Sequence, residues 1–386
     1  MSLTDKIMKC LSEAVANNEA AGISVLIRQQ GKDMCFAAAG MSDIASRKPV
    51  DRSSIFRLYS QSKPITAAAA MILADRGLLD LQAGVEQYLP GFANPRVVNP
   101  DGSIEPALRA PWVLELLGMT AGLSYPDADP AGQYAARVFD ADQEQIRRGD
   151  GMDTVTFCNR LGEQPLAFQP GTGWRYSTCA DVLGAVIEVV SGKPFGLFLQ
   201  EEIFDPLGMK DTGFWVPEEK RERLVTCYRR TGTGLEVFDS LHLAVGRYDR
   251  QPSFESGGAG LVSTLDDYAA FAEMLMNGGE YQGKRILSRA AVGYMTSPQL
   301  TPRIRENMWD SLGGYNYSCL MRICEQPGAC SVFAAKGEYG WDGWLGTYFI
   351  NLPEEKVTFL LYQNVTDTGT AAVTRKCRNL LAAALK

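Results

Sequence analysis

Phe56-Arg57-Leu58-Tyr59-Ser60-Gln61-Ser62-Lys63-Pro64-Ile65-Thr66-Ala67-Ala68-Ala69-Ala70 is the stretch around which the rest of the chain arranges itself. Phe56 to Tyr59 reads as a strand. From Lys63 to about Arg76 the text is apolar and alanine-rich, as in a buried helix, and Gly77 closes it. Pro64 fits only in the first turn, where its missing N–H has no intrahelical role. Ser60-Gln61-Ser62-Lys63 is the only S-x-x-K in the sequence. At the start of a helix, positions i and i+3 share a face, so the lysine amine can reach the serine hydroxyl. A lysine kept neutral by burial can act as the base that a hydroxyl nucleophile needs. The helix N-terminus adds free N–H groups toward developing negative charge. The same pattern also occurs by chance on exposed helices. The strand before it and the buried helix after it set this copy apart.

Upstream, Leu3, Ile7, Leu11 and Val15 recur at helical spacing, which predicts an amphipathic helix ending near Asn17 and Asn18. Residues 22–28 alternate and are rich in β-formers. A turn at 29–32 and a second strand at 34–39 complete a hairpin. Downstream, residues 87–248 read as helices broken by Pro/Gly loops, with segments at 111–117, 152–161, 180–190 and 195–204. Ser256-Gly257-Gly258-Ala259-Gly260 opens a new region. A helix at 265–277, capped by Ser263 or Thr264, is followed by strands at 315–322, 346–352 and 357–363 and a last helix at 370–385. The fold class is therefore α+β. One antiparallel sheet is built from residues 1–86 and 249–386 and flanked by the terminal helices, and 87–248 form a mainly helical inserted domain. A cleft between two such units is a common place for a small-molecule site.

Composition narrows the chemistry. The chain has 386 residues, 46% hydrophobic and 22% charged, with a net charge of −7. That is ordinary for a globular protein. No basic block offers itself to nucleic acid. The longest small apolar run, 65–74, is too short to cross a bilayer. No basic start followed by an apolar stretch marks an export signal. Nine cysteines at irregular spacing are not a disulfide framework, so reduced thiols in a cytoplasmic setting are expected. One histidine, His242, and no C-x-x-C pair leave no zinc site. No cofactor is called for: phosphate loops and dinucleotide glycine patterns are absent. His242 is also the only candidate for a Ser-His-Asp triad, and no G-x-S-x-G elbow accompanies it. It reads as a packed or hydrogen-bonded structural residue.

Several segments, in order, resemble the serine β-lactamase and penicillin-binding-protein-like hydrolases, particularly the class C-related esterases and peptidases. These are residues 56–63 with 67–81, Glu115-Leu116-Leu117-Gly118-Met119-Thr120-Ala121-Gly122-Leu123, Pro170-Gly171-Thr172-Gly173-Trp174-Arg175-Tyr176-Ser177, Phe204-Asp205-Pro206-Leu207-Gly208-Met209, Gly258-Ala259-Gly260-Leu261-Val262-Ser263-Thr264 and residues 339–347. The resemblance spans nearly the whole chain. It implies a β-lactamase/transpeptidase-like fold with Ser60 as nucleophile, Lys63 as base and Tyr176 as the tyrosine of the family's Y-x-N motif. A tyrosine oxygen there can carry a proton between nucleophile and leaving group. The literal Y-x-N, Tyr362-Gln363-Asn364, lies in the last apolar strand, after the third motif, and reads as structural.

The departures bear on substrate. Thr178 stands where the family often has Asn, which weakens contact to an amide-bearing substrate. No K-T-G exists. Its counterpart is Trp341-Asp342-Gly343, resembling the W-x-G of esterase members, with glycine letting an edge strand approach the substrate. The resemblance gives the oxyanion hole to the N–H groups of Ser60 and Trp344. Lys336 reads as an exposed hairpin lysine rather than a substrate-facing cation. Trp341, Trp344, Tyr339, Tyr125 and Tyr348 form a candidate aromatic cleft wall. Without the K-T-G cation or an export signal, the expected activity is an esterase-like serine hydrolase working through an acyl-enzyme on a small ester or amide. The alternatives are a D-amino-acid peptidase or amidase, a weak β-lactamase, and a catalytically silent binding or sensor protein of the same fold.

Overall fold

The computed structural model describes residues 1–149 and 151–385. Helix α1 (Leu3–Ala16) starts on a capping box, in which Asp5 N donates to Ser2 Oγ at 3.1 Å and Ser2 N donates to Asp5 Oδ2 at 2.9 Å. Strands β1 (Gly22–Gln29), β2 (Lys32–Asp43), β3 (Lys48–Pro49) and β4 (Phe56–Arg57) lead into helix α2 (Lys63–Asp75). A helix-rich stretch supplies α3 (Val113–Leu117), α4 (Pro130–Arg148), α5 (Thr154–Gly162), α6 (Cys179–Ser191) and α7 (Phe195–Leu199). The chain returns to the sheet through β5 (Val262–Ser263), α8 (Leu265–Met276), β6 (Tyr315–Ser318), β7 (Met321–Cys324), β8 (Tyr339–Asp342), β9 (Tyr348–Leu352) and β10 (Val357–Gln363), and ends in α9 (Ala372–Ala382).

Eight strands form one antiparallel sheet in the order β6-β7-β8-β9-β10-β1-β2-β3. β1 and β10 lie at its centre, with Leu26 opposite Leu360 and Val25 opposite Leu361. Both faces are covered, so β10 is buried at every position. The strand period of two then sorts side chains into two layers. Ile23, Val25, Ile27, Phe359 and Leu361 pack under the terminal helices with Ile7, Leu11, Val373 and Leu381. Leu26, Leu360 and Tyr362 face the opposite layer, with Ile65 and Met71 of α2. α2 is buried from Lys63 to Leu73 and packs on α6. β4 pairs with β5, Phe56 opposite Ser263 and Arg57 opposite Val262, which ties the strand before Ser60 to the chain just after the glycine run.

The structure departs from the sequence reading at identifiable places. The strand expected at 315–322 is a hairpin, β6 and β7, turning at Cys319 and Leu320, both with positive φ (43° and 62°). β8 consequently has a neighbour on each side and is an interior strand, not an edge. Helix α4 was not anticipated. Its Asp129 N-cap and Pro130 at the first turn are ordinary start signals, but its buried face mixes Ala131, Ala135, Val138 and Phe139 with the carboxylate of Asp142. The helix expected at 195–204 is α7 continued by a π-turn over Gln200–Phe204. All nine cysteines are unbridged, and all but Cys330 are buried. No single helix among the described residues is long and apolar enough to cross a membrane.

Candidate active site

The chain needs a sharp corner to pass from β4 into α2, and Tyr59 makes it. Its φ of 47° is a left-handed value that non-glycine residues rarely adopt. Strain of this kind costs about 1–3 kcal/mol and persists only where neighbours over-determine it. Here Leu58 N donates to Leu261 O at 2.8 Å and Thr347 Oγ1 donates to Leu58 O at 2.9 Å. The Tyr59 ring packs against Trp344, with centroids 5.1 Å apart. Ser60 follows on a short 3₁₀ turn, Tyr59–Ser62, and is partly open to solvent.

Lys63 opens α2 and its side chain is fully buried, at 0% exposure. Its Nζ lies 3.1 Å from Ser60 Oγ, 3.0 Å from Tyr125 OH and 2.8 Å from Gly258 O. Burial pulls its pKa down from 10.5 to about 7, opposed chiefly by the charge of Asp181. Asp181, on the first turn of α6, is buried too. It accepts from Ser256 Oγ at 2.5 Å and from Gly258 N at 3.0 Å. The glycine run is required by this packing. A Cβ on Gly258 would sit 2.7 Å from Asp181 Oδ2, and one on Gly257 would sit 2.4 Å from Ala180 O.

Tyr176 stands across from Lys63, its ring centroid 4.6 Å from Nζ. Trp341 Nε1 donates to its hydroxyl at 3.0 Å. Burial pushes the Tyr176 phenol up, while hydrogen bonding with Ser60 and Trp341 pulls the other way. The ring is wedged against Trp309, at 4.9 Å, and Trp341, at 5.5 Å. The structure thus brings Ser60, Lys63 and Tyr176 together.

A cleft of about 460 Å³ opens over Ser60, lined among others by Tyr125, Tyr176, His242, Trp344 and Phe139. The aromatic wall expected from sequence is partly right. Tyr125 and Trp344 line the cleft, and Trp341 backs Tyr176. Tyr348 instead lies on the opposite face of the sheet, where Arg378 Nη1 donates to its hydroxyl at 2.6 Å. The Tyr339 hydroxyl accepts from Asn351 Nδ2 at 3.0 Å, behind the wall. Trp309 and Phe139 were missed. Both come from segments whose nearness to Ser60 depends on long-range packing. His242 is stacked on Trp344 at 3.9 Å, and its buried Nδ1 has no hydrogen-bond partner among the described residues.

Gly343 is required by packing. A Cβ there would meet Leu58 O at 2.1 Å, so its bareness lets β8 close on the turn that carries Ser60. Thr178 is buried and its hydroxyl donates to Ser124 O at 3.3 Å, away from the cleft. Lys336 sits exposed on a turn. Tyr362-Gln363-Asn364 runs through the end of the central strand β10, with Tyr362 packed edge-on to Phe56 at 5.3 Å. Among the described residues no three His, Cys, Asp or Glu side chains cluster as metal ligands.

Residues 7–384 match the family described as Beta-lactamase. Protein Rv1367c of Mycobacterium tuberculosis is 30% identical over 339 residues, which cover 85% of this chain and 81% of its own length. Esterase EstB of Burkholderia gladioli is 30% identical over 368 residues, covering 91% and 88%. The solved structure of EstCE1, described as a hydrolase with promiscuous acyltransferase activity, aligns over 98% of both chains with a TM-score of 0.82 at 24% identity, a likeness of fold. A family match running from the first helix to the last, with an esterase relative aligned over most of both chains, makes this chain a member of the β-lactamase family of serine hydrolases.

Proposed function

We propose that the protein is an esterase-like hydrolase that cleaves small, uncharged carboxylic esters through an acyl-enzyme on Ser60. The observation that carries this reading is a fully buried amine 3.1 Å from the serine oxygen, with its pKa held at about 7. A neutral amine has two N–H groups and one lone pair. The carbonyl of Gly258 can only accept, so one N–H is spent there, and Tyr125 OH takes the other. The lone pair is left for the hydroxyl of Ser60.

Ser60 Oγ bonds to the ester carbonyl carbon as its proton passes to Lys63 Nζ. The oxyanion forms against the N–H groups of Ser60 and Trp344, which have no acceptor among the described residues, whereas Gly343 N is given to Thr347 O at 2.7 Å. The Tyr176 phenol, kept protonated by burial, relays the lysine's proton to the leaving alkoxide. Water then attacks the acyl-enzyme by the same proton route and frees the acid.

The lining of the cleft favours an uncharged substrate. Among its described lining residues there is no lysine or arginine to hold a carboxylate; Asp127 is already paired with Arg175 at 2.9 Å, and Asp140 would repel one. The esterase relative points the same way. The test is turnover of p-nitrophenyl acetate and butyrate beside nitrocefin and D-alanyl amides, with intact-mass detection of the serine adduct. Ester cleavage with an adduct lost in Ser60→Ala is expected. Nitrocefin or D-alanyl amide turnover without ester cleavage would transfer the assignment to a β-lactamase or D-peptidase. No adduct with any ester, lactam or fluorophosphonate would make the protein a binding module.

A further inference from the structure

We infer that Asp181 is a positioning residue for the Lys63 base, acting through the loop Ser256-Gly257-Gly258 and as the counter-charge to the ammonium formed when Lys63 takes the Ser60 proton. The inference rests on the hydrolase reading above.

The geometry has two parts. Asp181 Oδ1 accepts from both Ser256 Oγ (2.5 Å) and Gly258 N (3.0 Å), which pins the backbone of Gly258. The carbonyl of that same residue accepts from Lys63 Nζ at 2.8 Å. One carboxylate on α6 thus aims the group that orients the amine on α2. Glycine at 257 and 258 lets the loop lie flat on the start of α6, since a Cβ at either site would collide with Ala180 O or Asp181 itself. Thr66 Oγ1 donates to Gly257 O at 2.7 Å and fixes the other end of the loop to α2.

The charges facing Lys63 come from three elements. From α6 come Asp181 and the thiol of Cys179, which burial pushes up to about 12 and so keeps neutral. From β8 comes Asp342, which is already ion-paired with Arg322. From the cleft side come Tyr125 and Tyr176, both kept as neutral phenols by burial. Asp181 is therefore the carboxylate near the amine without a cation of its own. Facing Asp181 are Lys63 and the thiol of Cys158, which burial holds well up and neutral; burial pushes the Asp181 carboxyl itself up, and Lys63 with the hydrogen bonds from Ser256 and Gly258 pulls the other way. When Ser60 gives up its proton, the new positive charge on Nζ is fully buried, and a lone buried charge is costly. Asp181 offsets it without moving.

The experiment is the pH dependence of the second-order rate of Ser60 labelling by a fluorophosphonate, in the parent protein, Asp181→Asn and Ser256→Ala. It needs no natural substrate. The labelling rate rises with pH as Lys63 loses its proton. Removing the neighbouring negative charge favours the neutral amine, so in Asp181→Asn the acid limb moves to lower pH by about one unit. The plateau rate falls, by roughly ten-fold, because the ammonium in the transition state has lost its partner. Ser256→Ala keeps the carboxylate but loosens it, and moves the limb the same way by less. A structural role alone would lower stability and leave the limb in place. An unmoved limb in the folded variants overturns the role of Asp181 while Ser60 labelling of the parent stands. Absence of labelling in the parent at every pH overturns both readings.

Discussion

Two buried cations lie on opposite faces of the same sheet, and they are built in opposite ways. Arg378, on α9, is 1% exposed and reaches both oxygens of Glu338, at 2.9 and 2.7 Å, with the Tyr348 hydroxyl closing the set. Tyr315 OH donates to the same glutamate at 2.7 Å. Every charge there has a partner, and guanidinium does not give up its proton. Lys63 is at least as buried, yet its three contacts are a hydroxyl, a phenol and a carbonyl, none of them ionic. With its pKa pulled down to about 7, the neutral state is populated at neutral pH. Burial alone therefore does not mark a site of chemistry. What distinguishes the two is whether the buried cation is ion-paired by a contacting carboxylate or left free to lose a proton beside a serine hydroxyl.

Methionine substitution separates the two most sharply. On the proposed mechanism, Lys63→Met removes the base and lowers kcat/KM on an ester by roughly 10⁴-fold, while the protein stays folded, because an apolar side chain suits a buried site whose amine makes no ion pair. Arg378→Met strands Glu338 in the interior and costs about 3–5 kcal/mol of stability, with kcat per folded molecule little changed. Thermal denaturation and ester assays on both variants read this directly. Loss of folding in Lys63→Met, or loss of turnover in well-folded Arg378→Met, would erase the distinction.

The same contrast explains what the sequence could and could not reveal. Ser60 and Lys63 are three positions apart on one helical turn, so their meeting is local and legible. The central strands declare themselves because both faces are covered, leaving continuous apolar text such as residues 357–363. Asp181 is far from Lys63 in sequence and meets it only because α6 packs on α2. Its one signal is a carboxylate inside the otherwise apolar, buried run Cys179–Ile187. The β6–β7 turn at Cys319 and Leu320 carries none of the residues that announce a hairpin, so the text there reads as one strand and leaves β8 looking like an edge. The residue type of Tyr348 alone suggests the cleft. Its place opposite Asp342 in the ladder turns it to the terminal helices.

Stability against pH tests the neutral amine without any substrate. An unfolded chain protonates Lys63 below its usual 10.5, whereas the folded chain does so only below about 7. Between those values the unfolded state binds more protons, so this group makes the protein more stable as pH rises. The effect is on the order of a few kcal/mol. Lys63→Met lacks it. The variant should therefore be more stable than the parent near pH 7, and its advantage should shrink as pH approaches 10. A difference in Tm that stays constant across that window would mean the buried amine is charged throughout.

The smallest effect is expected at Trp341, where the two faces of the sheet meet the site through one strand. Its indole N–H holds the Tyr176 hydroxyl at 3.0 Å, and its ring fills the space behind the phenol. Trp341→Phe keeps most of the ring and removes the donor. A hydrogen bond of this kind contributes about 0.5–1.5 kcal/mol, so kcat should fall by about 2- to 10-fold with little change in KM, since the phenol remains near Ser60 but is no longer aimed. Trp341→Phe combined with Tyr176→Phe should lose no more than Tyr176→Phe alone, because the tryptophan has nothing left to orient. Additive losses in that double variant would show that Trp341 touches the substrate directly and belongs to the cleft wall in its own right.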